Sequence, residues 1–267
     1  MQRPDWAPEG VDISKPNMAR SYDYWLGGSH NFAVDREFGD KFAEILPSVR
    51  RISQANRAFV HRAVRYMLDL GIRQFLDLGS GIPTVGNVHE VAQRIAPESK
   101  VVYVDIDPIA VTHSQQLLAD NDNGTVLQGD MTKPDEIWHH PEARAMLDFS
   151  QPIGVLMVAV VHALQDHQNP DEHVAYFRDA LPPGSALALT HGSTDRQSSS
   201  MRELEGITQK SATPLVARTR DQILNYFGDF ELAEPGLVWV NMWRPELPDE
   251  EEEDESITFY AGVGHKR

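Results

Sequence analysis

The sequence predicts an α/β fold: a doubly wound, mostly parallel sheet with an antiparallel hairpin at its C-terminal end and a helical segment before it. Three observations carry this. Gln74-Phe75-Leu76-Asp77-Leu78-Gly79-Ser80-Gly81 is a strand-type apolar run ending in two glycines around a serine, and helical spacing follows from Val85 to Ala96. Two further apolar runs, Lys100 to Asp105 and Thr125 to Gly129, each reach an acid, Asp105 and Asp130. Strand-type and helix-type segments then alternate as far as Thr190, the rhythm of βαβ units.

Composition narrows the function. A chain of 267 residues suits one large α/β domain with additions. The net charge of −16 repels phosphate backbones, so no nucleic-acid partner is expected and a small-molecule substrate is. The lack of cysteine excludes disulfides and thiolate metal sites and fits a reducing compartment. MQRPDWAPEG has no apolar signal core and no run approaches about 20 apolar residues, so a soluble cytoplasmic protein without a membrane partner is expected.

The glycine turn is the centre of the chemistry. Glycine lets backbone approach a ligand closely, and the helix N-terminus behind it favours an anionic group. A dinucleotide fingerprint needs a third glycine where Thr84 stands. The pattern from Asp77 to Gly81 is instead D-x-G-x-G, which resembles motif I of class I S-adenosylmethionine (SAM) methyltransferases. A carboxylate at a strand end can accept both hydrogens of a ribose diol, which assigns the ribose to Asp105. Asp107 precedes Pro108 and reads as a helix N-cap. Asp130 stands where class I methyltransferases place an acid for the adenine amino group, although a turn aspartate ahead of Pro134 is an equal reading. Ser80, Ile106, Met131 and Ala159 complete the expected strand-end cofactor contacts.

In chain order, residues 1 to about 17 read as irregular. Helices are expected at Met18–Leu26, closed by Gly27-Gly28, at Val34–Leu46 and at Ser48–Leu70. Residues 1–70 are taken as an N-terminal extension and helical lid, and 71–267 as the core. Tyr22, Tyr24 and Trp25 crowd beside Gly27-Gly28, with His30, Asn31 and Asp35 close behind. A scaffold helix needs no such mixture, whereas a lid uses rings to stack on adenine and cover a sulfonium. Tyr22 and Asn31 are therefore placed on the cofactor. In the third helix Asn56 falls inside the apolar arc, as a clasp on the N-terminal segment or a ligand contact, and Arg57 at its edge could grip a carboxylate.

Short helices are expected after Pro134 and Pro141, then a central strand over the apolar run Ile153 to Val161. His162 follows it, where substrate would meet cofactor, and is the first candidate for a general base, with Tyr24 and His191 behind it. Asp166 to Pro170 reads as a polar loop without a metal-site pattern. A helix at Pro170–Ala180, a strand at Ser185–Thr190, a mobile serine-rich loop at Gly192–Ser200 and helices at Arg202–Gln209 and Thr219–Phe227 follow. The last carries a Thr219/Gln222 capping box. Extended runs at Leu237–Met242 and Ile257–Val263 read as a hairpin with an acidic tip, Asp249 to Glu255.

Several motifs recur together in one family: Ser21-Tyr22-Asp23-Tyr24-Trp25-Leu26-Gly27-Gly28, Asn31-Phe32-Ala33-Val34-Asp35-Arg36, Gln54-Ala55-Asn56-Arg57, the Phe75–Gly81 turn, Gly86-Asn87-Val88-His89-Glu90 and Val102-Tyr103-Val104-Asp105. From about Asp12 to Val263 the chain resembles the bacterial S-adenosyl methyltransferase family, long grouped as a domain of unknown function. The resemblance implies a Rossmann-like, seven-stranded fold and SAM bound at Asp77, Gly79, Gly81, Asp105 and Asp130. The acidic tip is a local elaboration. Direct methyl transfer to an N, O or S atom is the activity expected. A non-catalytic SAM sensor is the alternative, and an NAD-dependent dehydrogenase is disfavoured by Thr84 and the antiparallel tail.

Overall fold

The structure, a computed structural model, describes residues 12–84, 86–209, 211–246 and 254–267. Three helices lead: α1 (Met18–Trp25), α2 (Ala33–Ile45) and α3 (Val49–Asp69). The alternating part follows as β1 (Gln74–Leu78), α4 (Val88–Ile95), β2 (Lys100–Asp105), α5 (Pro108–Leu117), β3 (Gly124–Gln128), α6 (Pro134–Trp138), α7 (Pro141–Met146), β4 (Gly154–Val158), α8 (Pro170–Ala180) and β5 (Ala186–Gly192). The chain ends with α9 (Ser198–Thr208), α10 (Arg220–Asn225), β6 (Glu231–Leu232), β7 (Val238–Trp239) and β8 (Phe259–His265).

The sheet order is β3-β2-β1-β4-β5-β8-β6, with β7 also paired to β8. β1 to β5 are mutually parallel and β8 runs antiparallel to β5. The chain winds outward from β1 to β3, then crosses to β4 on the other side of β1. Where that order reverses, a crevice opens outside the carboxyl ends of the strands.

Among the described residues eight strands stand where seven are expected. β6 and β7 lie end to end on one edge of β8, Leu232 opposite Gly264 and Val238 opposite Ala261. Pro235 has no amide to give the ladder, and Gly236 turns at φ +89°, so the edge strand is split in two. The expected run Leu237–Met242 leaves the sheet after Trp239 as a 3-10 turn, Val240–Met242. The acidic tip at 249–253 lies outside the described residues. Asp254 beside it is paired with Arg51 at 2.9 Å.

Alternation along the strands supplies two apolar layers. Phe75 packs on one face with Phe59 and Met67 of α3. Leu76 and Leu78 pack on the other with Phe177 of α8. α3 is tied to the C-terminal end through Arg62, which is buried and donates to the carbonyls of Trp243 (2.7 Å) and Val240 (2.9 Å). The serine-rich segment is shorter than expected, because β5 runs through Gly192 and the serines from Ser198 onward form the first turn of α9.

Candidate functional site

A cavity of about 370 Å³ opens over the carboxyl ends of β1 to β4 and runs beneath the N-terminal helices. The glycine turn forms its floor. Gly79 and Gly81 take φ +69° and +68°, the left-handed region that favours glycine. Their surroundings differ. A Cβ on Gly79 would lie 2.2 Å from Cγ2 of Val160, whereas one on Gly81 would meet nothing within 4 Å. Gly79 is thus demanded by packing, and Gly81 leaves its backbone open to the cavity. The amides of Gly79 and Ser80 donate to the Val104 carbonyl at 2.8 and 3.1 Å, joining the turn to β2.

The three strand-end acids all line this cavity. Asp105 turns toward the glycine turn: Oδ2 accepts the Gly81 amide at 2.7 Å and Oδ1 the Asp107 amide at 2.8 Å. A carboxylate has about four acceptor positions, so two remain for a ligand. Burial pushes Asp105 up to about 6; the backbone amides of Asp107, Gly81 and Ile106 oppose the shift and the Asp107 charge adds to it. Burial likewise pushes Asp77 up to about 7; Arg57 opposes the shift and Asp105 adds to it. Such costly carboxylates without a full set of partners mark a site rather than a scaffold. Asp107 caps α5 through Ile109 N at 2.9 Å, the role expected of it. Asp130 keeps the turn with Oδ1, which accepts from the amide and hydroxyl of Thr132 at 2.9 and 2.8 Å.

Other expected cofactor residues also converge here. Ser80, Ile106, Met131, Ala159, Tyr22 and Arg57 line the cavity. Ile106 is 55% exposed at its edge, an apolar surface that none of the described residues covers. The Ser80 hydroxyl and Arg57 Nε are buried without a hydrogen-bond partner, while Arg57 Nη2 donates to the Gly86 carbonyl at 2.9 Å. Ala159 takes φ +55°, a strained conformation for a residue with a Cβ. Its amide goes to the Thr190 hydroxyl (2.9 Å), so β4 stops at Val158 instead of continuing through Val161.

The N-terminal helices are fastened by a buried polar chain. Asn56 donates to the Tyr22 hydroxyl at 3.0 Å, which donates to the Ser53 carbonyl at 3.0 Å. On its other side Asn56 Oδ1 accepts from Thr190 Oγ1 at 2.7 Å. Asn56 is therefore the clasp, linking α1 through α3 to β5 and Ala159.

Three expected residues, Tyr24, Asn31 and His191, are not brought to the site. Tyr24 does not line the cavity; its hydroxyl donates to Asp40 at 2.8 Å at the exposed side of α1 and α2. Residues two apart on a helix point away from each other, so Tyr22 inside means Tyr24 outside. Asn31 is buried in its own loop, donating to Asp23 (2.8 Å) and to the Gly28 carbonyl (3.0 Å) and accepting from Arg36 (3.0 Å). Its amide is spent on shaping the Gly27–Asn31 turn.

His162 reaches the cavity, not from a strand end but from a 3-10 turn, Val161–Ala163. Burial, with Arg218 nearby, pushes its imidazole down to about 4, so it is neutral at pH 7. His191 is fully buried inside β5 and away from the cavity lining. Arg218 Nη1 lies 3.1 Å from its Nε2, and an arginine only donates. The proton therefore sits on Nδ1, which donates to the Gly192 carbonyl at 2.7 Å. Arg218 also binds Asp166 at 2.7 Å, which commits that polar loop to structure.

One wall was not foreseen. Met201, Leu204 and Glu205 of α9 and the segment Ala212–Ala217 close the cavity opposite the strand ends. Glu205 Oε1 accepts the Ala217 amide at 2.6 Å and holds the segment against α9. The sequence signal was the apolar stretch Pro214-Leu215-Val216-Ala217 between polar residues, which names no partner by itself.

The S-adenosyl methyltransferase family matches residues 4–267. A Thermobifida fusca protein described as a candidate methyltransferase is 41% identical over 99% of this chain and 100% of its own, with a TM-score of 0.91. A protein of the DUF574 family from Streptomyces avermitilis is 37% identical over 96% of this chain and 99% of its own, also at 0.91. An O-methyltransferase family protein from Burkholderia thailandensis aligns at 12% identity over 85% of this chain and 61% of its own, TM-score 0.50, a likeness of fold alone. Among curated proteins none matches the chain.

Proposed function

Since the chain belongs to the S-adenosyl methyltransferase family and its cofactor is S-adenosyl-L-methionine, we propose that it catalyses direct methyl transfer from SAM to a small-molecule N, O or S acceptor. The observation that carries the reading is the convergence of Asp77, Asp105 and Asp130 with the open Gly81 backbone on one cavity. The acidic surface, net charge −16, favours a small acceptor over a nucleic acid.

The residues present fit an adenosyl ligand. Asp105 keeps two acceptor positions for a ribose diol beside the Gly81 amide. Ile106 and Met131 offer apolar surface at neighbouring strand ends for a purine, with Asp130 in reach of an amino group at the same end of β3. The unpartnered Ser80 hydroxyl and Arg57 Nε supply donors, the guanidinium matching an amino-acid carboxylate. Tyr22 covers the crevice, its ring fixed by Asn56.

When bound, the cofactor supplies a methyl group already activated on a sulfonium. What remains for the chain is to hold the acceptor in line and keep water out. α1, α3 and α9 enclose the space, and the Tyr22–Asn56–Thr190 chain sets the height of the roof. His162, neutral at pH 7, can accept a proton there but is too weak a base to take one from an unactivated alcohol or ammonium.

Incubating the chain with methyl-labelled SAM and cell extract tests the assignment. A labelled product supports transfer; tight SAM binding with no transfer favours a sensor and overturns the catalytic reading.

A further inference from the structure

The cavity extends beyond the groups that an adenosyl ligand engages. Its far part is walled by Trp25 of α1, Phe42 of α2, Leu46 just after it, Ile52 of α3, and Met201 and Leu204 of α9. All six are buried, none more than 7% exposed, and each packs in the core while also lining the cavity. Protein interiors leave few voids larger than a water molecule, so an apolar chamber walled by buried side chains is a space kept for a guest.

Its charge distribution is one-sided. The ionisable groups of the cavity cluster at the strand ends and at Arg57, where the cofactor is assigned. Among the described residues lining the α9 wall Glu205 is the one charged group, and its Oε1 takes the Ala217 amide. A charged guest in the chamber would lose its hydration against walls that are mostly apolar. Rings are well placed instead. Trp25 and Phe42 stand 4.7 Å apart and tilted, and His162 lies edge-on to Phe259 at 5.5 Å, with all four on the lining.

We infer that this chamber is the acceptor subsite, and that it takes an uncharged, ring-bearing apolar small molecule methylated at a hydroxyl, a thiol or a neutral nitrogen. The assignment rests on the strand ends holding SAM. In the transfer a lone pair of the acceptor atom forms the new bond to the methyl carbon. The S–CH3 bond breaks with its electron pair left on sulfur, which becomes a neutral thioether. The proton on the now-cationic acceptor atom passes to His162 or to water. The acceptor becomes strongly acidic as the bond forms, so the weak imidazole base suffices.

The test uses the full chain saturated with S-adenosylhomocysteine and the neutral fluorescent probe N-phenyl-1-naphthylamine. The expected result is a saturable rise in fluorescence at one site per chain, competed by 1-naphthol and not by the ammonium ion of tryptamine. Leu204→Asp is expected to weaken the probe at least tenfold while calorimetry with S-adenosylhomocysteine stays unchanged. Met201→Gln, which keeps the side chain's length, is expected to weaken it several-fold and serves if the aspartate prevents folding. Absence of a saturable site on the saturated chain, or indifference to both variants, overturns the acceptor assignment and leaves cofactor binding intact. If S-adenosylhomocysteine itself does not bind the unmutated chain, the cofactor reading falls instead.

Discussion

Asp105 accepts the backbone amide of Gly81 at 2.7 Å, fastening the end of β2 to the turn that follows β1. One side chain thereby shapes the glycine turn and still faces the cavity with acceptor capacity to spare. Asp105→Asn turns half of that carboxylate into a donor. Charge-assisted hydrogen bonds contribute about 1.5–3 kcal/mol each, so S-adenosylhomocysteine affinity is expected to fall roughly 10- to 100-fold. Calorimetry reads this, with circular dichroism unchanged as the control for folding.

The two glycines of the turn separate packing from binding. Gly79→Ala forces a Cβ into Val160 at positive φ, at a cost of roughly 2–5 kcal/mol in overpacking and strain. Gly81→Ala carries only the backbone term of about 1–2 kcal/mol, because its Cβ enters open space. Thermal denaturation is expected to show the larger loss for Gly79→Ala. Calorimetry is expected to show a folded Gly81→Ala that no longer holds S-adenosylhomocysteine, since that open space is where the ligand belongs.

Asp77 links the site to stability through pH. Its pKa rises on folding from 3.8 to about 7, so its ionisation penalty is absent below pH 3.8 and grows to completion above about pH 7. Asp77→Asn removes the penalty. The ligand-free variant is expected to melt several degrees above the unmutated chain at pH 8, with the gap closing toward pH 4. S-adenosylhomocysteine affinity is expected to drop in the same variant. A melting temperature lower at pH 8 than that of the unmutated chain contradicts this assignment.

Asn56→Leu keeps the volume and cuts the chain from Tyr22 to Thr190. It leaves the buried Thr190 hydroxyl without its acceptor, at a cost of about 1–3 kcal/mol. Hydrogen exchange across residues 18–28 is expected to accelerate, with little change in the strands. Equal exchange in both proteins would show that the clasp does not hold the roof.

His162 is held down near 4 by burial. Its ring proton resonances are expected to stay at neutral-imidazole positions down to pH 5, and a titration centred between 6 and 7 would overturn the description of its surroundings.

The strand ends were legible because an acid closing an apolar run is costly to bury and has few reasons to be there. Asp77, Asp105 and Asp130 therefore mark the crevice in the sequence alone. The helices before β1 were legible in extent but not in facing: Tyr22 and Tyr24 look alike in sequence, and only the docking of α1 on α3 turns one inward. Asn31 and His191 carry polar groups that other partners claim, Asp23 nearby for one and Arg218, 27 residues on, for the other. The α9 wall and the split of the edge strand at Pro235 depend on contacts between residues far apart in the chain, which periodicity does not encode.

The most direct measurement is a calorimetric titration of the full chain with S-adenosylhomocysteine, and in parallel with NAD, in the unmutated protein and in Asp105→Asn. One S-adenosylhomocysteine per chain, sharply weakened by the substitution, and no heat from NAD is the expected result. Binding that ignores Asp105, or a preference for NAD, would contradict the assignment of the strand ends to an adenosyl sulfonium cofactor.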